Sequence, residues 1–151
     1  MSIPSRTLTL SNPPGLYDPS ANGYSHVAAV AAGARLVFIA GQGGETADGE
    51  LSADFTDQVR QALANLQVAL RSVGAEVSHV AKLTVLIVDH SQARLEIFGA
   101  QLQQLWSASP TPACTLIPVP RLALDGMLFE IEAVAGAARL IFRARDSEPV
   151  K

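Results

Sequence analysis

The stretch that decides the fold is Asp54–Gly74, DFTDQVRQALANLQVALRSVG. Phe55, Val59, Ala62, Leu63, Leu66, Leu70 and Val73 recur at intervals of three and four, which places them on one face of a helix. Asp54 is suited to cap its start, and Gly74 to follow its end in the left-handed conformation. The pattern predicts a helix over 54–73. The period then changes. His79–Asp89, HVAKLTVLIVD, is β-rich and almost wholly apolar, as expected of a central strand covered on both faces.

Working outward, Leu95, Phe98, Leu102 and Leu105 outline a second amphipathic helix over about 92–107. Gly99 inside it costs about 1 kcal/mol of helix stability, and Ser109-Pro110-Thr111-Pro112 ends it. Ala113–Val119 and Leu128–Ala135 read as strands, and Arg139–Arg143 is a further candidate. Upstream, Arg6–Ser11 alternates like a short strand, and 12–23 is dense in turn formers. His26–Ala32 and Arg35–Ala40 follow as strands, joined by a link short enough for a hairpin. The expected fold is α+β, one mixed sheet with both helices on one face. Nothing in the chain remains to cover the other face, and a neighbouring subunit is the simplest cover. Residues 146–151 read as a disordered tail.

The 151 residues amount to a single domain, 1–151. Charged residues make up 17%, against about 25% in an average protein, while 48% are hydrophobic, which points to self-association. A net charge of −3 argues against nucleic acid as a partner, although Arg139, Arg143 and Arg145 form a small local cluster. Cys114 is the single cysteine, so no intrachain disulfide can form. The opening MSIPSR has no signal-peptide character, and the apolar run Val27–Gly41 is broken by Gly33 and Arg35 and falls short of a span of about 20 residues. The expected setting is the cytoplasm, with no membrane attachment.

Few residues advertise chemistry unaided. Gly41-Gln42-Gly43-Gly44 suggests a phosphate loop, but such a loop must open directly into a helix, and residues 45–53 intervene. His26, His79 and His90 are too scattered for a metal motif, so neither metal nor cofactor is implied. Glu130 and Glu132 lie two apart on a strand and therefore project from one face. Paired carboxylates there are either solvated or, at a subunit interface, able to position water as a general base.

The segments Pro112–Ala123 (PACTLIPVPRLA) and Glu130–Ala135 (EIEAVA) resemble the YjgF/Rid family of reactive intermediate deaminases, also called L-PSP endoribonucleases. Gly23–His26 (GYSH), Leu36–Gln42 (LVFIAGQ), Gln58, Ala62–Leu66 (ALANL), Gly74 and Val80–Val85 match in order, so the resemblance covers about 22–135. It implies a chorismate-mutase-like fold, a homotrimer with sheets inside and helices outside, and small-molecule clefts between subunits. It also implies a site in which Tyr24 frames the ligand, Gly41 offers its backbone and Glu130 holds the attacking water. The family's serine position holds Ala40, and its carboxylate-gripping arginine is replaced by Cys114. With Leu116 and Pro118 beside it, such a pocket suits a neutral or aromatic ligand better than an amino-acid-derived imine. Cys114 is itself a candidate nucleophile if its pKa is lowered. Three functions compete: a small-metabolite-binding trimer, an imine or enamine deaminase acting through Glu130, and an endoribonuclease, which the charge disfavours.

Overall fold

A computed structural model describes residues 6–107 and 109–140. Its elements in order are β1 (Leu8–Ser11), β2 (Val27–Val30), β3 (Arg35–Gln42), α1 (Phe55–Ser72), β4 (Val80–Val88), α2 (Gln92–Leu105), β5 (Ala113–Val119) and β6 (Phe129–Ala137). Four strands form a mixed sheet in the order β3-β6-β4-β5, parallel between β4 and β5 and antiparallel elsewhere. Right-handed crossing of a helix between parallel strands is the usual reason for such a pair, and α2 is that connection. The α+β expectation of a mixed sheet with two helices is met.

The alternation along the strands sets the core. Leu83, Val85 and Ile87 of β4 and Phe129, Ile131 and Ala133 of β6 point to one side and are buried beneath Val59, Ala62, Leu63, Leu66 and Leu70 of α1. Phe98 and Leu102 bring α2 onto the same core, with Phe98 against Phe129 at 5.5 Å between ring centroids. α1 begins where its sequence says it should: the Asp54 side chain accepts from the Asp57 backbone N–H at 2.9 Å. Gly74 follows the helix with φ 71°.

One connection departs from expectation. β2 does not form a hairpin with β3; it pairs antiparallel with β1, Leu8 opposite Val30 and Ser11 opposite Val27. This ribbon leans over the sheet face opposite the helices, where Val30 stands above Gly136. A Cβ at that glycine would lie 2.8 Å from Val30 Cγ1, so only glycine fits beneath it. The chain thus covers one end of this face itself, while Leu36, Phe38 and Ile117 remain open, Phe38 at 74% exposure. The strand expected over Arg139–Arg143 is absent at Arg139 and Leu140. Its remainder, and the tail 146–151, lie outside the described residues.

A buried amide ties α1 to the entry of β6. Gln58 is fully buried, donates from Nε2 to the carbonyls of Ser52 (2.7 Å) and Gly126 (2.9 Å), and accepts at Oε1 from the Leu128 N–H (2.8 Å). Gln58→Ala removes three hydrogen bonds made by a fully buried side chain, each worth about 0.5–1.5 kcal/mol, so we expect a loss of about 2–3 kcal/mol. Urea unfolding of wild type and variant checks this, as a fall in midpoint at unchanged slope.

Candidate functional site

A long groove of about 980 Å³ runs between α2 and the segment leading into β2. Its floor holds Phe98, Leu102, Trp106, Cys114 and Leu116, and its rim Tyr17, Tyr24, Glu96, Gln103 and Thr111. Tyr24 is placed by its neighbour Ser25, which is buried and clamped to the start of β5. The Ser25 N–H donates to Pro112 O at 3.1 Å, and its hydroxyl donates to Thr111 O at 2.7 Å. A lone bridge, Ser25 to Ala113, completes the attachment. Tyr24 is thereby held over the strand that carries Cys114.

The loop 12–23 buttresses this wall. Tyr17 and Tyr24 share a hydrogen bond between their hydroxyls, and His26 meets both rings edge-on at 5.1 and 5.5 Å. His26 Nε2 lies 2.8 Å from Tyr17 O; a carbonyl only accepts, so this nitrogen carries the proton. The bond to Tyr17 is the main reason the Tyr24 phenol is held above its usual pKa. Asp18 is held below the usual carboxylate range by the hydroxyl and N–H of Ser20. His26 is therefore a structural part of the loop and not a partner for Cys114.

Cys114 pairs with Leu83 in the β4–β5 ladder and so shares the helix-facing side of the sheet. Burial pushes its thiol up to about 11, opposed only weakly by Lys82. At neutral pH it is a protonated, non-nucleophilic group, which removes the support for the nucleophile reading.

Glu130 stands on the other face. It pairs with Leu86, one step out of phase with the core residues Phe129 and Ile131. Its carboxylate lies over Gly41: a Cβ at position 41 would coincide with Glu130 Oε1, so only glycine admits it. β3 is bulged here. Ile39 pairs with Ala133 and Gln42 with Ile131, leaving Ala40 and Gly41 together opposite Glu132. Such a bulge re-aims the strand, a device common beside functional sites. The rest of the glycine run serves packing: a Cβ at Gly44 would lie 2.6 Å from Gln58 Cα, and Gly43 O accepts from Asn65 Nδ2 at 3.0 Å.

The residues expected in the site therefore fall into two groups. Tyr24, Cys114 and Leu116 line the groove on the helix side, and Ala40, Gly41 and Glu130 cluster on the open side. Within one chain the sheet separates them. Arg121 does not stand in for the lost arginine: it pairs with Asp125 at 2.6 Å and donates to Leu122 O. Sequence reasoning missed Tyr17, Glu96 and Trp106. It noted Gly99 only as a helix flaw, and that flaw was the available signal: a Cβ there would meet nothing within 4 Å, because the position opens onto the groove.

Comparison with known proteins defines the class. The family profile Endoribonuclease L-PSP matches residues 17–137. The RutC family protein YjgH of Escherichia coli is 33% identical over 100 residues, 66% of this chain and 74% of that protein. The chain belongs to this family, the YjgF/Rid proteins. Among solved structures, YyfB of Yersinia pestis, a Rid-family protein of unknown function, superposes with a TM-score of 0.82 at 36% identity, covering 86% of this chain and 98% of that one. E. coli TdcF, solved with bound serine, gives 0.64 at 28% identity, covering 72% and 85%.

The buried thiol has a direct consequence. Alkylation of Cys114 by iodoacetamide should stay slow at neutral pH and rise with a midpoint near 11, where a free thiol has its midpoint near about 8.5. Mass spectrometry of protein treated across this pH range checks it.

Proposed function

We propose that the protein is a Rid-type homotrimer that binds a small metabolite in clefts between subunits. In this reading the Tyr24–Cys114–Leu116 wall of one subunit faces the Ala40–Gly41–Glu130 cluster of the next. The observation that carries it is the separation of these two groups onto opposite sides of one sheet, which leaves each incomplete in a single chain. The exposed Leu36, Phe38 and Ile117 on the open face supply apolar surface for assembly. Serine bound to the related TdcF supports a small-molecule ligand. A net charge of −3 gives nucleic acid no comparable footing.

The family's usual chemistry, hydrolysis of amino-acid-derived imines, is expected to be weak here. An arginine gives a carboxylate two charge-assisted hydrogen bonds, and losing them costs about 10–100-fold in binding. Cys114, protonated and desolvated, offers no replacement. Deamination remains the second reading because of Glu130. Its carboxylate rests on a glycine in a strand bulge and has no ion-pair partner among the described residues, a fit disposition for holding water.

Two measurements test these statements. Light scattering at micromolar concentration should give the mass of three chains, and Phe38→Lys should shift the protein toward monomer. A monomeric wild type would contradict the assembly. Hydrolysis of the 2-aminoacrylate-derived imine should be slight in wild type and increase in Cys114→Arg. Robust wild-type turnover that vanishes in Glu130→Ala would establish the deaminase reading in place of the binding one.

A further inference from the structure

The proposed cleft contains more anionic than cationic chemistry, and this defines what it can hold. Among the described residues, the groove is lined by one charged side chain, Glu96, and by no lysine, arginine or histidine. Its counterpart on the open face carries Glu130. Neither carboxylate has an ion-pair partner among the described residues; Glu96 accepts only a long bond, 3.4 Å, from Gln92 Nε2. Lys82, the cation whose field reaches Cys114, stands on the open face four positions along β4 from Leu86, the partner of Glu130, and its ammonium donates to Thr115 Oγ1; the two carboxylates outnumber it. The remaining groove surface is uncharged: polar side chains such as Asn22, Gln103 and Thr111 alternate with the rings of Tyr17 and Tyr24 at the rim and Trp106 and Phe98 below.

Resting on the shared-cleft reading above, we infer that the ligand is an organic cation: a primary ammonium or iminium group on an aromatic or aliphatic body, without a carboxylate. The carboxylates of Glu96 and Glu130 would pair with the nitrogen, and aromatic faces attract a cation further through their quadrupoles. An anionic ligand would instead meet like charge from both carboxylates, with no cation among the groove-lining residues to pair with it. A neutral ligand would fill the same volume without using either carboxylate. The groove's breadth at Gly99, where a side chain would meet open space, accommodates a ring-sized body.

Three isosteric probes separate these cases: benzylamine, a cation at neutral pH; benzyl alcohol, neutral; and benzoate, an anion. Trp106 is the single tryptophan and lines the groove, so its emission reports binding. Benzylamine should bind about tenfold or more tighter than the other two. Glu96→Gln and Glu130→Gln should each erode that preference while leaving benzyl alcohol unchanged, and Cys114→Arg should turn it toward benzoate. Gly99→Leu, which fills the groove, should abolish binding of all three. Benzoate binding as well as benzylamine to wild type, with Gly99→Leu still blocking it, would overturn the cation assignment and leave the cleft standing. Binding indifferent to Gly99→Leu would overturn the cleft itself, and no binding of any probe at millimolar concentration would overturn both.

Discussion

The register of β4 with its two neighbours governs everything else. Side chains alternate across a strand, so pairing Leu83 with Cys114 and Leu86 with Glu130 sends those two residues to opposite faces. A slip of one residue would bury Glu130 in the core and expose Phe129 and Ile131, which the apolar surface of α1 prevents. The same alternation that makes the core therefore divides the candidate site. A chain with this register presents the Tyr24–Cys114 wall on one face and the Glu130 carboxylate on the other.

The supports around each half are local and polar. Ser25 fastens Tyr24 to the strand of Cys114, and the Tyr17–Tyr24–His26 contacts brace that wall. On the other side, the bulge at Ala40–Gly41 clears room for the Glu130 carboxylate. Gln58 joins α1 to the loop before β6 through two hydrogen bonds, to Gly126 and Leu128, fixing where β6 begins and hence where Glu130 points. At Cys114, where the resemblance implies an arginine that grips a carboxylate bidentately, the structure holds a desolvated, protonated thiol.

Much of this was readable in the chain. The interval of three and four in Phe55–Leu70 is one helix face, and α1 occupies Phe55–Ser72 against the expected 54–73. The second helix, expected over about 92–107, ends at Leu105. The common face of Glu130 and Glu132 followed from alternation alone. The face of Cys114 relative to Glu130 did not, because it depends on a strand register set by contacts far apart in sequence. The β2–β3 hairpin failed for a related reason: a short glycine-containing link permits a hairpin, but β2 gains more by pairing with β1 and seating Val30 over Gly136. Leu95 shows the limit of periodicity. It belongs to the apolar stripe of α2, yet it is 39% exposed because that part of the stripe walls the groove and does not enter the core.

The central claim is that one subunit's Tyr24 wall meets the next subunit's Glu130. Crosslinking between chains tests it most directly. In a Cys114→Ala background, Tyr24→Cys is placed on one tagged chain and Glu130→Cys on another, and the two are refolded together and treated with a short bismaleimide. With the two half-sites facing each other across the interface, a covalent dimer of differently tagged chains should form. The absence of that dimer while the mixed protein still assembles would contradict this and place the two half-sites against other surfaces.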